Sequence, residues 1–168
     1  MSDQTIILIV EDSGDDILLL RRAFSQAKLL NPLQVVTNGE DAIAYLSGTG
    51  KYQNRPEFPL PSLVLLDLKM PGIDGFQVLT WIRQNPNLRG LRVVVLTSSN
   101  EMKDVNRAYQ LGANSFLVKP VDFERFVEIS RALDGYWVLL DQPPEVSRPP
   151  FRKEKPRTPA AKVSRSEV

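Results

Sequence analysis

Side chains that bear oxygen or a positive charge follow directly on several short apolar runs of this sequence. Glu11 and Asp12 follow the first run, Asp67 follows the third, Thr97 follows the fourth and Lys119 follows the fifth. Three carboxylates brought together repel one another and raise one another's pKa unless a cation lies among them. A hard cation such as Mg²⁺ suits ligands that are all oxygen and leaves positions for water and phosphate. If these residues meet in the fold, the sequence predicts a magnesium site.

The residue inventory excludes several kinds of catalytic site. The chain contains no Cys and no His, which excludes a Ser/His/Asp triad, a Cys nucleophile and a zinc site built on His or Cys. Covalent chemistry must therefore use Asp, Glu, Lys, Ser, Thr or Tyr. The absence of disulfides fits a reducing compartment. We expect a cytoplasmic protein, because no signal-peptide pattern and no apolar run of membrane-spanning length is present.

Short apolar runs alternate with helical patterns over residues 1–140. The predicted strands are Thr5–Val10, Leu33–Thr37, Leu63–Leu66, Arg92–Leu96 and Ser115–Val118. The predicted helices are one capped by Ser13 with Asp16 in its first turn, then Glu40–Leu46, Gly75–Gln84, Glu101–Leu111 and Asp122–Leu140. This alternation predicts an α/β fold, a doubly wound five-stranded parallel sheet with five helices on its two faces. Ligands bind such sheets at the carboxyl ends of the strands, where the acids, Thr97 and Lys119 lie. Any one of them could be a simple cap or turn residue, but the whole set at one edge favours a site.

Four separated stretches resemble the receiver domain of bacterial two-component response regulators. They are ILIVEDSGDD, VLLDLKMPGIDG, VVVLTSS and GANSFLVKP. The similarity extends over about residues 6–140 in matching order and spacing, and it implies the flavodoxin-like receiver fold. The long loop before the third strand, LTSSN and GANSFLVKP look closest to small regulators that partner cyanobacterial and other bacterial phytochromes.

The resemblance implies that Asp67 accepts a phosphoryl group with Mg²⁺ bound. Asp12 would contact the metal directly and Glu11 mostly through water, while Asp67 and the backbone carbonyl of Lys69 complete the protein ligands. Because the chain has no His, the donor must be the phosphohistidine of another protein, a sensor histidine kinase such as a phytochrome, or a small acyl phosphate.

Further roles follow from the same resemblance. Thr97 and Lys119 would hold the phosphoryl oxygens, and the Lys119–Pro120 bond is expected to be cis. Phe116 occupies the position of the switch aromatic and would act together with Thr97. Since Phe116 lacks the hydroxyl of the Tyr often found there, we expect the switch to move by packing alone.

Output is expected to run through protein contacts with the kinase, an unknown downstream protein or a second copy of the chain. Residues 141–168, rich in Pro, Lys and Arg, are predicted to be a disordered tail without nucleic-acid or membrane binding. An apolar stripe in the last helix predicts a homodimer through the fourth helix, the fifth strand and the last helix. Its residues are Phe126, Leu133, Trp137 and Leu140. The alternative is a long helix whose end folds back on the core.

Three other functions share parts of this pattern. Phosphatases and phosphotransferases of the haloacid-dehalogenase type need a second acid two residues after the first, where this chain has Lys69. A flavodoxin-like cofactor protein needs a phosphate-binding loop after the first strand, where Glu11 and Asp12 would repel phosphate. A constitutively dimeric receiver-fold scaffold that phosphorylation does not control is the remaining alternative.

Overall fold

Five parallel strands form one sheet in this computed structural model, which describes residues 6–119 and 122–140, with side chains to residue 133. The strands are β1 (Ile7–Val10), β2 (Leu33–Val36), β3 (Leu63–Leu66), β4 (Arg92–Thr97) and β5 (Ser115–Val118). Their order across the sheet is β2-β1-β3-β4-β5. Continuous apolar runs form these strands because helices cover both faces of the sheet. The predicted doubly wound α/β fold is therefore confirmed.

Four helices connect the five strands and a fifth follows β5, and several of them begin at side-chain caps. They are α1 (Gly14–Gln26), α2 (Gly39–Ser47), α3 (Gly75–Gln84), α4 (Met102–Gln110) and α5 (Phe123–Leu140). The hydroxyl of Ser13 accepts the Asp16 N–H at 3.3 Å, and the carboxylate of Asp122 accepts the Arg125 N–H at 3.0 Å. The predicted N-cap at Ser13 is confirmed, and Asp122 caps the start of α5 in the same way. No helix of the described residues is long and apolar enough to cross a membrane.

The core forms one apolar layer on each face of the sheet. On one face, side chains of α2, α3 and α4 pack against alternate strand residues such as Val64 and Val95. On the other face, α1 and α5 pack against the residues between them, such as Ile9 and Leu65. Burial on both faces fixes the register of the strands, and with it the edge at which their polar carboxyl ends meet.

The predicted dimer surface on α5 is wrong for two of its four residues. Phe126 is 2% exposed and Leu133 is 5% exposed, and both pack in the layer shared with α1. The apolar stripe of α5 serves the core of its own chain, because the helix needs that face to cover the sheet. The side chains of Trp137 and Leu140 lie outside the described residues. So do the cis bond predicted at Pro120 and the tail predicted for residues 141–168.

The segment between α2 and β3 is more ordered than its composition predicts. It contains a short 3-10 helix, Gly50–Tyr52. The Arg55 guanidinium donates to the carbonyls of Tyr45 at 2.7 Å, Leu46 at 2.8 Å and Phe58 at 3.2 Å. Two of these bonds reach carbonyls in the last turn of α2, and the third reaches the Phe58 carbonyl within the segment itself. Arg55 therefore fastens this segment to the helix that precedes it.

Candidate functional site

Four of the predicted site residues meet at the carboxyl edge of the sheet. Glu11 follows β1, Asp67 follows β3, Thr97 ends β4 and Lys119 follows β5. These strands are consecutive across the sheet, so a parallel arrangement brings their ends side by side. Glu11, Asp67 and Thr97 are buried at 2%, 5% and 0% exposure. Asp12 is exposed beside them. The arrangement expected from the strand order is present.

Three carboxylates at this edge form a group that suits a hard cation. Glu11, Asp12 and Asp67 each offer one oxygen, and these oxygens all lie within 4.8 Å of one another. Two of the three are buried, where neighbouring negative charges are costly without neutralisation. Carboxylate oxygens with an exposed member at the rim fit a divalent ion that retains some of its water. The described residues therefore fit the predicted metal site.

Lys119 lies among the carboxylates with its side chain 9% exposed. Its Nζ is 2.5 Å from Glu11 Oε2, 2.8 Å from Asp16 Oδ2 and 3.4 Å from Asp67 Oδ2. Burial lowers the pKa of Lys119, but the hydrogen bonds to Asp16 and Glu11 and the charge of Asp67 outweigh it, so the pKa is raised overall. Lys119 therefore stays an ammonium at neutral pH.

Burial strongly perturbs the carboxyl of Glu11 at this edge. Burial raises its pKa to about 7, the hydrogen bond from Lys119 opposes the rise, and the charge of Asp67 adds to it. The Glu11 carboxylate also accepts the N–H of Ser13 at 3.1 Å. Glu11 thus joins the start of α1 to Lys119.

Asp16 is the site residue that the sequence interpretation missed. The sequence predicts Asp16 only as an acid in the first turn of α1, and its N–H does bond Ser13. Its carboxylate nevertheless points to Lys119. Its position four residues after Asp12 could have indicated that Asp16 faces the site. The neighbouring Asp15 lies almost as close to Asp12 in sequence, and only the rotation of α1 distinguishes the two.

The turn after β3 supports Asp67 through a glycine and a backbone N–H. A Cβ on Gly75 would clash with the backbone oxygen of Asp67, so α3 can begin this close to the strand end only without a side chain there. The N–H of Lys69 donates to Asp67 Oδ1 at 3.4 Å. The predicted role of the Lys69 carbonyl as a metal ligand stays a prediction.

Thr97 is linked to α4 through two further polar residues. Its hydroxyl accepts the N–H of Ser99 at 3.5 Å, and the Ser99 hydroxyl donates to Asp104 Oδ2 at 2.5 Å. That hydrogen bond is the main cause that lowers the pKa of Asp104, and Lys69 at 3.3 Å lowers it further. Asp104 therefore joins the loops after β3 and β4, although sequence reasoning assigned it no role.

Phe116 lies half-buried on β5 and packs against the core layer that includes α4. Its N–H donates to the hydroxyl of Tyr109, at the end of α4, at 3.2 Å. Phe116 has no hydroxyl of its own, but Tyr109 supplies one to the same strand. The position expected for a switch aromatic is thus in contact with α4.

The family follows from a sequence comparison that agrees with this geometry. Residues 7–131 match the family model described as the response regulator receiver domain. The chain therefore belongs to the response regulator receiver family. Its function is that of a receiver domain in two-component signal transduction, related to the phytochrome response regulators.

Individual relatives resemble the chain over most of its length. Response regulator Rcp1 of Synechocystis is 35% identical over 142 residues, which cover 82% of this chain and 95% of Rcp1. The probable methanogenesis regulatory protein FilR2 of Methanothrix harundinacea is 36% identical over 145 residues, which cover 84% of this chain and 89% of FilR2.

Solved structures give the same picture. The phosphorylated cyanobacterial phytochrome response regulator RcpA has a TM-score of 0.74 at 32% identity, over 80% of this chain and 94% of RcpA. The Mn²⁺-bound form of Rcp1 has a TM-score of 0.72 at 34% identity, over 85% of this chain and 99% of Rcp1.

Proposed function

We propose that this chain accepts a phosphoryl group on Asp67, with Mg²⁺ held by Glu11, Asp12 and Asp67, from a histidine kinase of the phytochrome type. The observation that carries the proposal is the contact of Lys119 with Asp67 inside a group of three carboxylates. A phosphorylated relative and a Mn²⁺-bound relative support it.

The residues of the site divide the chemistry between them. The Asp67 carboxylate attacks the phosphorus of the donor, a new O–P bond forms, and the bond to the donor nitrogen or oxygen breaks. Lys119 offers a compact positive charge to the phosphoryl oxygens, and Thr97 offers a hydroxyl donor. When bound, Mg²⁺ would align the carboxylate with the phosphoryl group and neutralise charge in the loose transition state.

Two alternatives lose support in the structure. The scaffold alternative is not favoured, because the acids, Thr97 and Lys119 all meet at one edge. The haloacid-dehalogenase alternative needs an acid at position 69, and the Lys69 side chain there pairs with Asp104 of α4. A phosphoacceptor explains both the residues present and their contacts.

The phytochrome partnership rests on similarity to Rcp1 and RcpA, whereas FilR2 is as similar and is described differently. The kinase is therefore tested directly. Purified chain is incubated with labelled kinases, a phytochrome kinase and an unrelated one, with Mg²⁺ or with excess chelator. We expect transfer from the phytochrome kinase with Mg²⁺, and none to Asp67→Asn or without metal. Equal transfer to Asp67→Asn would overturn the proposal. Contact with such a kinase would place the chain in the cytoplasm.

The output surface that we propose combines α4 with β5. Met102, Tyr109 and Val118 are 70%, 50% and 44% exposed on these elements, and the Tyr109 hydroxyl accepts the N–H of Phe116. A homodimer through this surface would couple phosphorylation to assembly by a population shift. Sedimentation of wild type and Tyr109→Ala, with and without beryllofluoride, tests it. A wild type that stays monomeric in both states would contradict the dimer.

A further inference from the structure

Asp16 is a fourth carboxylate at the site, and the phosphoryl-transfer chemistry assigns it no task. Its Oδ2 lies 2.8 Å from Lys119 Nζ, closer than Asp67 at 3.4 Å. An ammonium has three N–H donors. Its three carboxylate partners, Glu11, Asp16 and Asp67, account for all of them, and the longest contact is the one to Asp67.

We propose that Asp16 is a positioning residue for Lys119, which it holds from the side of α1 so that the ammonium already faces Asp67 when a phosphoryl group arrives. This inference rests on the proposed function, because contact with the phosphoryl oxygens is the task for which Lys119 is positioned. The role differs from that of a metal ligand, since the oxygens that lie within mutual reach of one cation belong to Glu11, Asp12 and Asp67.

The need for positioning follows from the side chain and from where it starts. Lysine has a flexible four-carbon stem, and ordering it costs considerable entropy. Lys119 follows β5 at the edge of the sheet, while Glu11 and Asp16 lie at β1 and α1 on the far side of Asp67. The carboxylates of Glu11 and Asp16 hold the ammonium across the site in the folded protein. The Lys119 side chain is therefore ordered before the reaction.

The three contacts also differ in what a phosphoryl group must displace. The phosphoryl oxygens can take the donor that faces Asp67, which makes the weakest of the three bonds. The bonds to Glu11 and Asp16 can then persist, and Lys119 meets the new charge with little reorganisation. Asp16, with its side chain 29% exposed against 3% for Glu11, is the anchor that can be replaced with less damage to the core.

Asp15 provides a matched control for the test. It lies in the same first turn of α1, carries the same charge and is exposed. The partners of Lys119 among the described residues include Asp16 and not Asp15. Asp16→Asn and Asp15→Asn therefore remove the same charge from the same helix end. The backbone N–H of position 16 that bonds Ser13 is retained in both variants.

The first measurement is the rate of phosphorylation by acetyl phosphate with saturating Mg²⁺. We expect Asp16→Asn to react about tenfold more slowly than wild type, the size of one lost charge-assisted hydrogen bond, and Asp15→Asn to stay within about twofold. Asp16→Glu keeps a carboxylate and should recover most of the rate. Equal rates for Asp16→Asn and Asp15→Asn would overturn the inference. So would a faster Asp16→Asn, because relief of repulsion would then be the dominant effect.

The second measurement is independent of phosphorylation. The side-chain ammonium of Lys119 is observed by NMR in metal-free protein labelled with ¹⁵N-lysine. We expect a protected, well-ordered signal in wild type and Asp15→Asn that broadens or vanishes in Asp16→Asn while the backbone amide spectrum is retained. An unchanged Lys119 signal in Asp16→Asn would overturn the positioning role. If wild type accepts no phosphoryl group, the proposed function fails, and this spectrum still decides whether Asp16 orders Lys119.

Discussion

Tyr109 at the end of α4 and Phe116 on β5 are joined by a hydrogen bond of 3.2 Å from the Phe116 N–H to the Tyr109 hydroxyl. β5 is an edge strand, and edge strands expose backbone groups that can pair with other chains. The tyrosine therefore covers an edge donor that belongs to Phe116 itself, the residue expected to be the switch aromatic. If phosphorylation changes the packing of Phe116, this hydrogen bond would transmit the change to α4.

Replacement of Tyr109 by Phe tests the link between α4 and β5. We expect a loss of stability of about 0.5 kcal/mol, the scale of a partly exposed hydrogen bond. Hydrogen exchange of the Phe116 amide should accelerate, because its acceptor is gone. The Lys119 amide, which bonds the Thr97 carbonyl at 2.7 Å, is the internal control and should keep its rate. Equal acceleration of both amides would indicate general loosening rather than loss of this bond.

Tyr45 gives the fold a predictable response to alkaline pH. Its hydroxyl donates to the Pro59 carbonyl at 2.8 Å, and burial raises its pKa above the ordinary 10.0. A group whose folded pKa is raised contributes its stability fully below the unfolded pKa and loses it as pH rises through the folded pKa. Below pH 10, the free energy of unfolding of wild type should exceed that of Tyr45→Phe by about 1 kcal/mol. Denaturant unfolding should show that this difference shrinks above pH 10. A difference that stays constant through that range would contradict a raised pKa for Tyr45.

Gly75 tests the geometry that supports Asp67. Because a Cβ there would clash with the Asp67 backbone, Gly75→Ala should cost about 1–3 kcal/mol, the usual range for overpacking. Gly14→Ala is the matched control, since a Cβ at that position in α1 meets no atom within 4 Å. We expect Gly14→Ala to leave the thermal midpoint unchanged or raised, and Gly75→Ala to lower both the midpoint and the phosphorylation rate. A neutral Gly75→Ala would show that the turn adapts freely.

Removal of the residues after Asp141 tests the predicted domain boundary. The family match ends at residue 131, and the described core reaches Leu133. We expect a chain that ends at Asp141 to keep its thermal midpoint within about 2 °C of that of the 168-residue chain. In a domain of this size, a larger shift would mean that the removed residues contribute more than a few tenths of a kcal/mol to the free energy of unfolding. Its phosphorylation rate should match that of the full chain. A substantial loss of either would mean that residues 142–168 contact the domain.

The sequence predicted the strands and the shared edge well, because both follow from local rules. Runs such as Leu63–Leu66 are continuously apolar, and a parallel sheet brings their ends together whatever the detailed packing. Asp67, Thr97 and Lys119 could thus be placed before any distance was known.

Two features depend on rotations that the sequence does not encode locally. An apolar stripe on α5 predicts a buried face but does not say what buries it, and the answer for Phe126 and Leu133 is α1 and the sheet. Likewise, Asp15 and Asp16 are equivalent as acids at a helix start. Only the docking of α1 against the sheet decides that Asp16 meets Lys119.

Locating the phosphoryl group tests directly whether Asp67 is the phosphoacceptor. The 168-residue chain is phosphorylated with Mg²⁺ and acetyl phosphate. It is then reduced with borohydride, which converts an aspartyl phosphate to homoserine, and analysed by peptide mass spectrometry. We expect homoserine at position 67, absent when the metal is chelated and absent in Asp67→Asn. Homoserine at another aspartate of the wild-type chain, or modification at position 67 at the same rate without divalent metal, would contradict it.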